Sequence, residues 1–180
     1  LLQEFGDRNV CGTNEKVSTN VAGWKEAVKI FVAQASLEEL QEVKDSLQKL
    51  ILRGNGKCCP YPVHEAAKIG AVKLMEFIFR TSYDLNAKGV DNGRTAFHHA
   101  CDSGKTETVQ LIIKSSKNFG IDLNAKKNNG RTAWHEACYS GNIETAKLII
   151  QSSKDFGIDL NAKDVDGWTG WHETCRYGKT

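Results

Sequence analysis

The sequence predicts an all-α solenoid, a row of stacked units each made of a turn and two helices. Three observations predict it. First, GRTAFHHACDSGKTETVQLIIKSSKNFGIDLNAK from Gly93 returns as GRTAWHEACYSGNIETAKLIIQSSKDFGIDLNAK from Gly130 and as GWTGWHETCRYGKT from Gly167, at a constant step of 37 residues. A fixed period of this size means supersecondary units that bury their apolar faces only against one another. Second, apolar residues within each unit recur at helical spacing. Third, each unit opens on a glycine after a polar stretch (Val90–Asn92, Lys127–Asn129, Asp164–Asp166), where turn chemistry makes a positive φ cheap.

Taken in chain order, residues 1–20 are polar and irregular. From Trp24 the positions Trp24, Ala27, Val28, Phe31, Val32 and Ala35 follow helical spacing. Ser36 and Glu39 form a capping-box signature for a second helix, striped by Leu40, Val43, Leu47, Leu50 and Ile51 and ended at Gly54. Residues 21–57 thus read as a helical hairpin that caps the array. A degenerate repeat or a dimerising hairpin is the alternative. In the repeats, Thr95 and His98, Thr132 and His135, and Thr169 and His172 lead into a short first helix that stops at Gly104, Gly141 and Gly178. Thr106 reads as the N-cap of the second helix, with Glu107 at its positive end and Val109, Leu111, Ile112 and Ile113 as its buried stripe. Ile143, Ala146, Leu148, Ile149 and Ile150 form the same stripe one unit later.

These residues resemble the ankyrin repeat, a β-turn followed by two antiparallel helices. The family's G-x-T-P-L-H-x-A-A-x-x-G core is matched by G-R-T-A-F-H-H-A-C-D-S-G and G-R-T-A-W-H-E-A-C-Y-S-G. Its D-V-N-A link is matched by Asp122-Leu123-Asn124-Ala125-Lys126 and Asp159-Leu160-Asn161-Ala162-Lys163. A more degenerate copy runs from Pro60 through Tyr61-Pro62-Val63-His64-Glu65-Ala66-Ala67 to Asp84-Leu85-Asn86-Ala87-Lys88, with His64 and His98 34 residues apart. The resemblance covers about residues 58–180, divided as 58–89, 90–126, 127–163 and a partial 164–180. Both ends of the sequence read as cut from a longer protein.

Two departures have physical readings. The usual period is about 33 residues. The four extra residues fall around Ser115–Phe119 and Ser152–Phe156, close to one helical turn of about 3.6 residues, so the second helix lengthens without rotating its stripe. Phe119 and Phe156 then pack at its end. The family's proline is replaced by Ala96, Ala133 and Gly170, which loosens the helix start.

Composition excludes several classes. No apolar run approaches the ~20 residues of a membrane span, and no basic-then-apolar leader opens the sequence. A net charge of only +2 argues against a nucleic-acid surface, which needs a clustered basic face. Six cysteines invite a disulfide reading. However, Cys101, Cys138 and Cys175 repeat in register, and stacked helices lie about 8–10 Å apart, beyond the ~7 Å Cα limit for a bridge. Reduced thiols in an intracellular, cytoplasmic location, with the nucleus left open, are the expectation.

The best enzyme-like signal is His-x-x-Cys at His98/Cys101, His135/Cys138 and His172/Cys175, which shares a helix face and matches zinc ligation or a Cys–His pair. The resemblance implies instead a locally hydrogen-bonded His and a small buried residue at the Cys position, and no unit offers two further ligands. No catalytic residue, cofactor or metal is expected.

The resemblance also implies core positions for Phe97, Trp134 and Trp171. It implies exposed positions on the finger and first-helix ends, from which the candidate protein-binding residues are Asp91, Arg94, Asp102, Asn128, Arg131, Tyr139, Trp168, Arg176 and Tyr177. Trp168 stands where Arg94 and Arg131 stand, and is either a binding anchor or a residue shielded by further chain. Helix two is nearly unchanged between the complete units. The other face differs at Asp102 against Tyr139, His99 against Glu136, and Asp91 against Asn128. The expected function is a non-catalytic protein-interaction scaffold or adaptor, with other proteins as partners and no nucleic acid, membrane insertion or small-molecule substrate. The alternatives are the recruiting or regulatory arm of an enzyme (kinase, ubiquitin ligase or phosphatase subunit) and an intrinsic metal-dependent or thiol activity.

Overall fold

The computed structural model describes residues 36, 38–39, 41–42, 62–80, 84–89 and 92–177. The 21–57 hairpin, Asp91 and Gly178 therefore lie outside the described residues, except for the start of the hairpin's second helix. There the capping box is formed: Ser36 N–H donates to Glu39 Oε2 at 3.1 Å, and Glu39 N–H to Ser36 Oγ at 3.2 Å.

Seven further helices follow and no strand occurs among the described residues: α1 Pro62–Ile69, α2 Val72–Phe79, α3 Ala96–Asp102, α4 Thr106–Phe119, α5 Ala133–Ser140, α6 Ile143–Phe156 and α7 Gly170–Tyr177. They form two layers. First helices stack in the order α1, α3, α5, α7, and second helices in the order α2, α4, α6. One continuous core lies between the layers, running from Val63, Leu74 and Ile78 through Phe97, Ile112 and Ile113 to Trp134 and Ile149.

Local chemistry places each boundary. Pro62, Ala96, Ala133 and Gly170 are the first residues of their helices, so the positions that replace the family's proline still open a helix. Gly93, Gly130 and Gly167 have φ of +71°, +79° and +81°, a region where a side chain would be strained. The second helices of the 37-residue units are 14 residues long, against 8 for α2. They end at left-handed Gly120 and Gly157. Phe119 and Phe156 are indeed their last residues. Phe156 packs on the core, whereas Phe119 remains exposed with its ring 5.5 Å from that of Phe79.

Three expectations are corrected. In the stripe of α6, Ile149 is buried but Ile143 and Ile150 are exposed. Thr106 is the first helical residue rather than the N-cap, which is Lys105. Its hydroxyl pairs with that of Thr145 in the next unit, at 3.1 Å. Trp171 is 43 % exposed, unlike its buried counterparts Phe97 and Trp134, because no described helix packs on that side of α7.

Candidate protein-interaction surface

In the second and third units the finger and first helix are locked by one histidine each. Thr95 N–H donates to His98 Nδ1 at 3.2 Å, the Thr95 hydroxyl lies 2.9 Å from the same nitrogen, and His98 Nε2 donates across the interface to the Arg131 carbonyl at 3.1 Å. His135 repeats this with Thr132 and the Trp168 carbonyl. Both ring nitrogens are thus committed in the neutral tautomer, and burial lowers the His98 pKa to about 4. Neither histidine offers a lone pair to a metal or acts as a base toward cysteine. The thiols fit the same picture. Cys101 and Cys138 are buried and free, and burial pushes the first well above its ordinary range and the second up to about 12. Cys175 is free and exposed.

The links between units form a second ladder. Asn86 donates its amide to the Gly120 carbonyl at 2.8 Å and accepts from Asp122 N–H, while Asn124 does the same with Gly157 and Asp159. Lys88 and Lys126 give their ammonium hydrogens to the carbonyls of Lys126 and Lys163. The Asp-Leu-Asn-Ala-Lys sequence recurs because each of its polar residues has a fixed task.

The candidate residues divide into two sets. Arg94 binds Asp102 in its own unit at 2.9 Å and Glu136 in the next. Arg131 binds Asp164 at 3.3 Å and Glu173, again one unit on. These guanidiniums and Asp102 are therefore engaged inside the array. The acceptors were missed by sequence reasoning: Glu136 and Glu173 are 1 % and 0 % exposed. The difference between His99 and Glu136, read as freedom on an open face, is a difference in buried pairing. The missed signal is the constant 42-residue spacing from each Arg to its Glu.

The second set stays on the surface. Tyr139 and Tyr177 are exposed and meet edge to face, with centroids 5.2 Å apart and planes at 87°. The Arg131 guanidinium lies 5.7 Å from the Tyr139 ring. Arg176 is exposed and lies 5.0 Å from the Trp168 ring and 5.5 Å from Tyr177. Trp168 is half-buried, its backbone N–H donating to Asp164 Oδ1 at 2.9 Å. Asn128 is exposed, its backbone N–H donating to the Asn92 carbonyl at 3.0 Å between fingers.

A family model described as ankyrin repeats (3 copies) matches residues 63–164. The chain belongs to the ankyrin-repeat family. Ankyrin repeats are in general protein-interaction modules, and the described first helices of this array stack in one row. No match was found among curated proteins. No helix among the described residues is long and apolar enough to cross a membrane.

Proposed function

We propose that this ankyrin array is a protein-interaction module without catalytic chemistry of its own, and that its contact surface is the finger and first-helix face. The observation that carries this reading is the exposed cluster of Tyr139, Tyr177 and Arg176 beside Trp168, held in fixed geometry by ring and guanidinium contacts. Tyr, Trp and Arg are the residues that most often dominate binding energy, because they bring large, rigid contact area with a polar handle. Arg94, Arg131 and Asp102 serve this face indirectly by fixing the fingers, and Asn128 belongs to its rim. Committed histidines and protonated thiols support the non-catalytic half of the reading.

The test is a quantitative pull-down from lysate with wild-type and variant arrays as bait. Tyr139→Ala and Trp168→Ala should each deplete the specific partners, by about 2 kcal/mol in affinity where the residue is a hot spot. Charge reversal at the exposed Lys117 and Lys154, on the second helices, should leave capture unchanged. The opposite pattern overturns the assigned face.

A further inference from the structure

The fingers carry a chemically labile dipeptide. Asn92-Gly93 and Asn129-Gly130 are followed at the same register by Asp166-Gly167. Asparagine before glycine is the pair in which a side-chain amide is most easily attacked by the next backbone nitrogen, because glycine has no Cβ to crowd the closing ring. Asn92 and Asn129 are both exposed. Each also has a donor on the oxygen where negative charge would develop during that attack. Arg94 N–H donates to Asn92 Oδ1 at 3.1 Å, and Arg131 N–H donates to Asn129 Oδ1 at 3.3 Å.

The closed finger withholds the nucleophile. Gly93 N–H donates to the Gly89 carbonyl at 2.9 Å, and Gly130 N–H to the Lys127 carbonyl at 2.8 Å. Both glycines are also covered by the next finger. A Cβ at Gly93 would lie 2.4 Å from Asn128 Oδ1, and one at Gly130 would lie 2.9 Å from the Val165 nitrogen. For attack, the glycine nitrogen must leave its carbonyl and turn toward Cγ, which the stacked finger does not allow. The arginine that follows each glycine holds that finger down. Arg94 is tied to Asp102 and Glu136, and Arg131 to Asp164 and Glu173.

We propose that Asn92 and Asn129 are sites of spontaneous deamidation, each opened to the reaction by the lifting of its own finger. The glycine nitrogen bonds to Cγ, a five-membered succinimide closes, and the side-chain nitrogen leaves as ammonia with the proton the glycine nitrogen gives up. One water then opens the ring. Opening at Cγ leaves aspartate, and opening at the main-chain carbonyl leaves isoaspartate, with the chain continuing through Cγ. The two products differ in effect. Aspartate already stands at this register as the exposed Asp166 and keeps the main chain intact. Isoaspartate turns the Asn129 carbonyl into a pendant carboxylate, and that carbonyl receives Val165 N–H from the next finger at 3.1 Å. The Asn92 carbonyl receives Asn128 N–H in the same way at 3.0 Å. Isoaspartate therefore uncouples neighbouring fingers.

The full 180-residue chain is incubated at neutral pH, folded and in denaturing urea, and amide loss at each site is followed by peptide mass. Folding should slow both sites at least about tenfold, equivalent to about 1.4 kcal/mol of local closure. Arg131→Ala should return most of the lost rate at Asn129 and little at Asn92, and Arg94→Ala should do the reverse. In the unaltered chain, urea below the unfolding midpoint should speed both sites with a slope well below that of global unfolding. This second measurement stands even if a variant does not fold. Isoaspartate formed at Asn129, detected by enzymatic carboxyl methylation, should speed amide exchange at Val165. Equal rates in the folded and unfolded chain, both sites rising together in a folded variant, a urea slope equal to that of global unfolding, or unchanged exchange at Val165 would each overturn the proposal.

Discussion

At the residue scale, the buried histidines give the array a pH dependence of definite sign. His64, His98, His99 and His135 all have folded pKa values below the ordinary 6.5, desolvation being the first cause for each. Below 6.5 the unfolded chain therefore binds more protons than the folded one. The stability they contribute is complete above about pH 6.5 and is lost as pH falls toward 4. Urea denaturation at pH 7, 6, 5 and 4 should show the midpoint dropping across that window, and a midpoint that stays flat would mean the histidines are not buried neutral. His135→Ala should cost about 1–3 kcal/mol, because the Thr132 N–H and the Trp168 carbonyl lose their partner inside the interface. Cys138→Ala should cost only on the order of 1 kcal/mol, from a small void at a buried site. The histidine role was legible because Thr-x-x-His sets up a local bond within one turn. The burial of Glu136 was not, since it depends on a guanidinium 42 residues away and a glutamate on a helix otherwise reads as solvated.

At the element scale, the interfaces between first helices are tuned by single atoms. Gly170→Ala should destabilise by about 1–3 kcal/mol through overpacking against Trp134. Trp134→Phe should largely relieve the alanine's cost, so a double-mutant cycle measured by chemical denaturation should show clear coupling. Independent, additive effects would mean the indole has room to move. The charge pairs differ in a similar way. Glu136 is held by Arg94 and also by Lys127 at 2.9 Å, whereas Glu173 has Arg131 and an Oε2 with no hydrogen-bond partner. Arg131→Ala leaves a buried carboxylate without a cation and should cost about 3–5 kcal/mol. Arg94→Ala should cost less because Lys127 remains. Thermal melts of the two variants side by side test the order. The helices themselves, their glycine ends and the lengthening of α4 and α6 were legible from periodicity and turn chemistry. Trp171 was not, because register gives a residue's place in its unit but not whether a neighbour covers it.

At the scale of the whole molecule, stability is shared between neighbours, so protection should follow position in the stack. Amide exchange should be slowest in α3, α4 and α5, which have a described helix of their own layer on both sides, and faster in α6 and α7, which have one on one side only. Uniform protection across these helices would argue for a single cooperative block.

The cationic side chains that cross between units have a sense. Lys88, Lys126, Arg94 and Arg131 all give their hydrogens to the following unit, as do His98 and His135. These side-chain crossings therefore run one way along the stack, while hydrogens of Asp122, Asn128 and Asn142 run back to the preceding unit. A unit turned end for end would lose both sets of crossings, so the direction of stacking is set by the polar side chains.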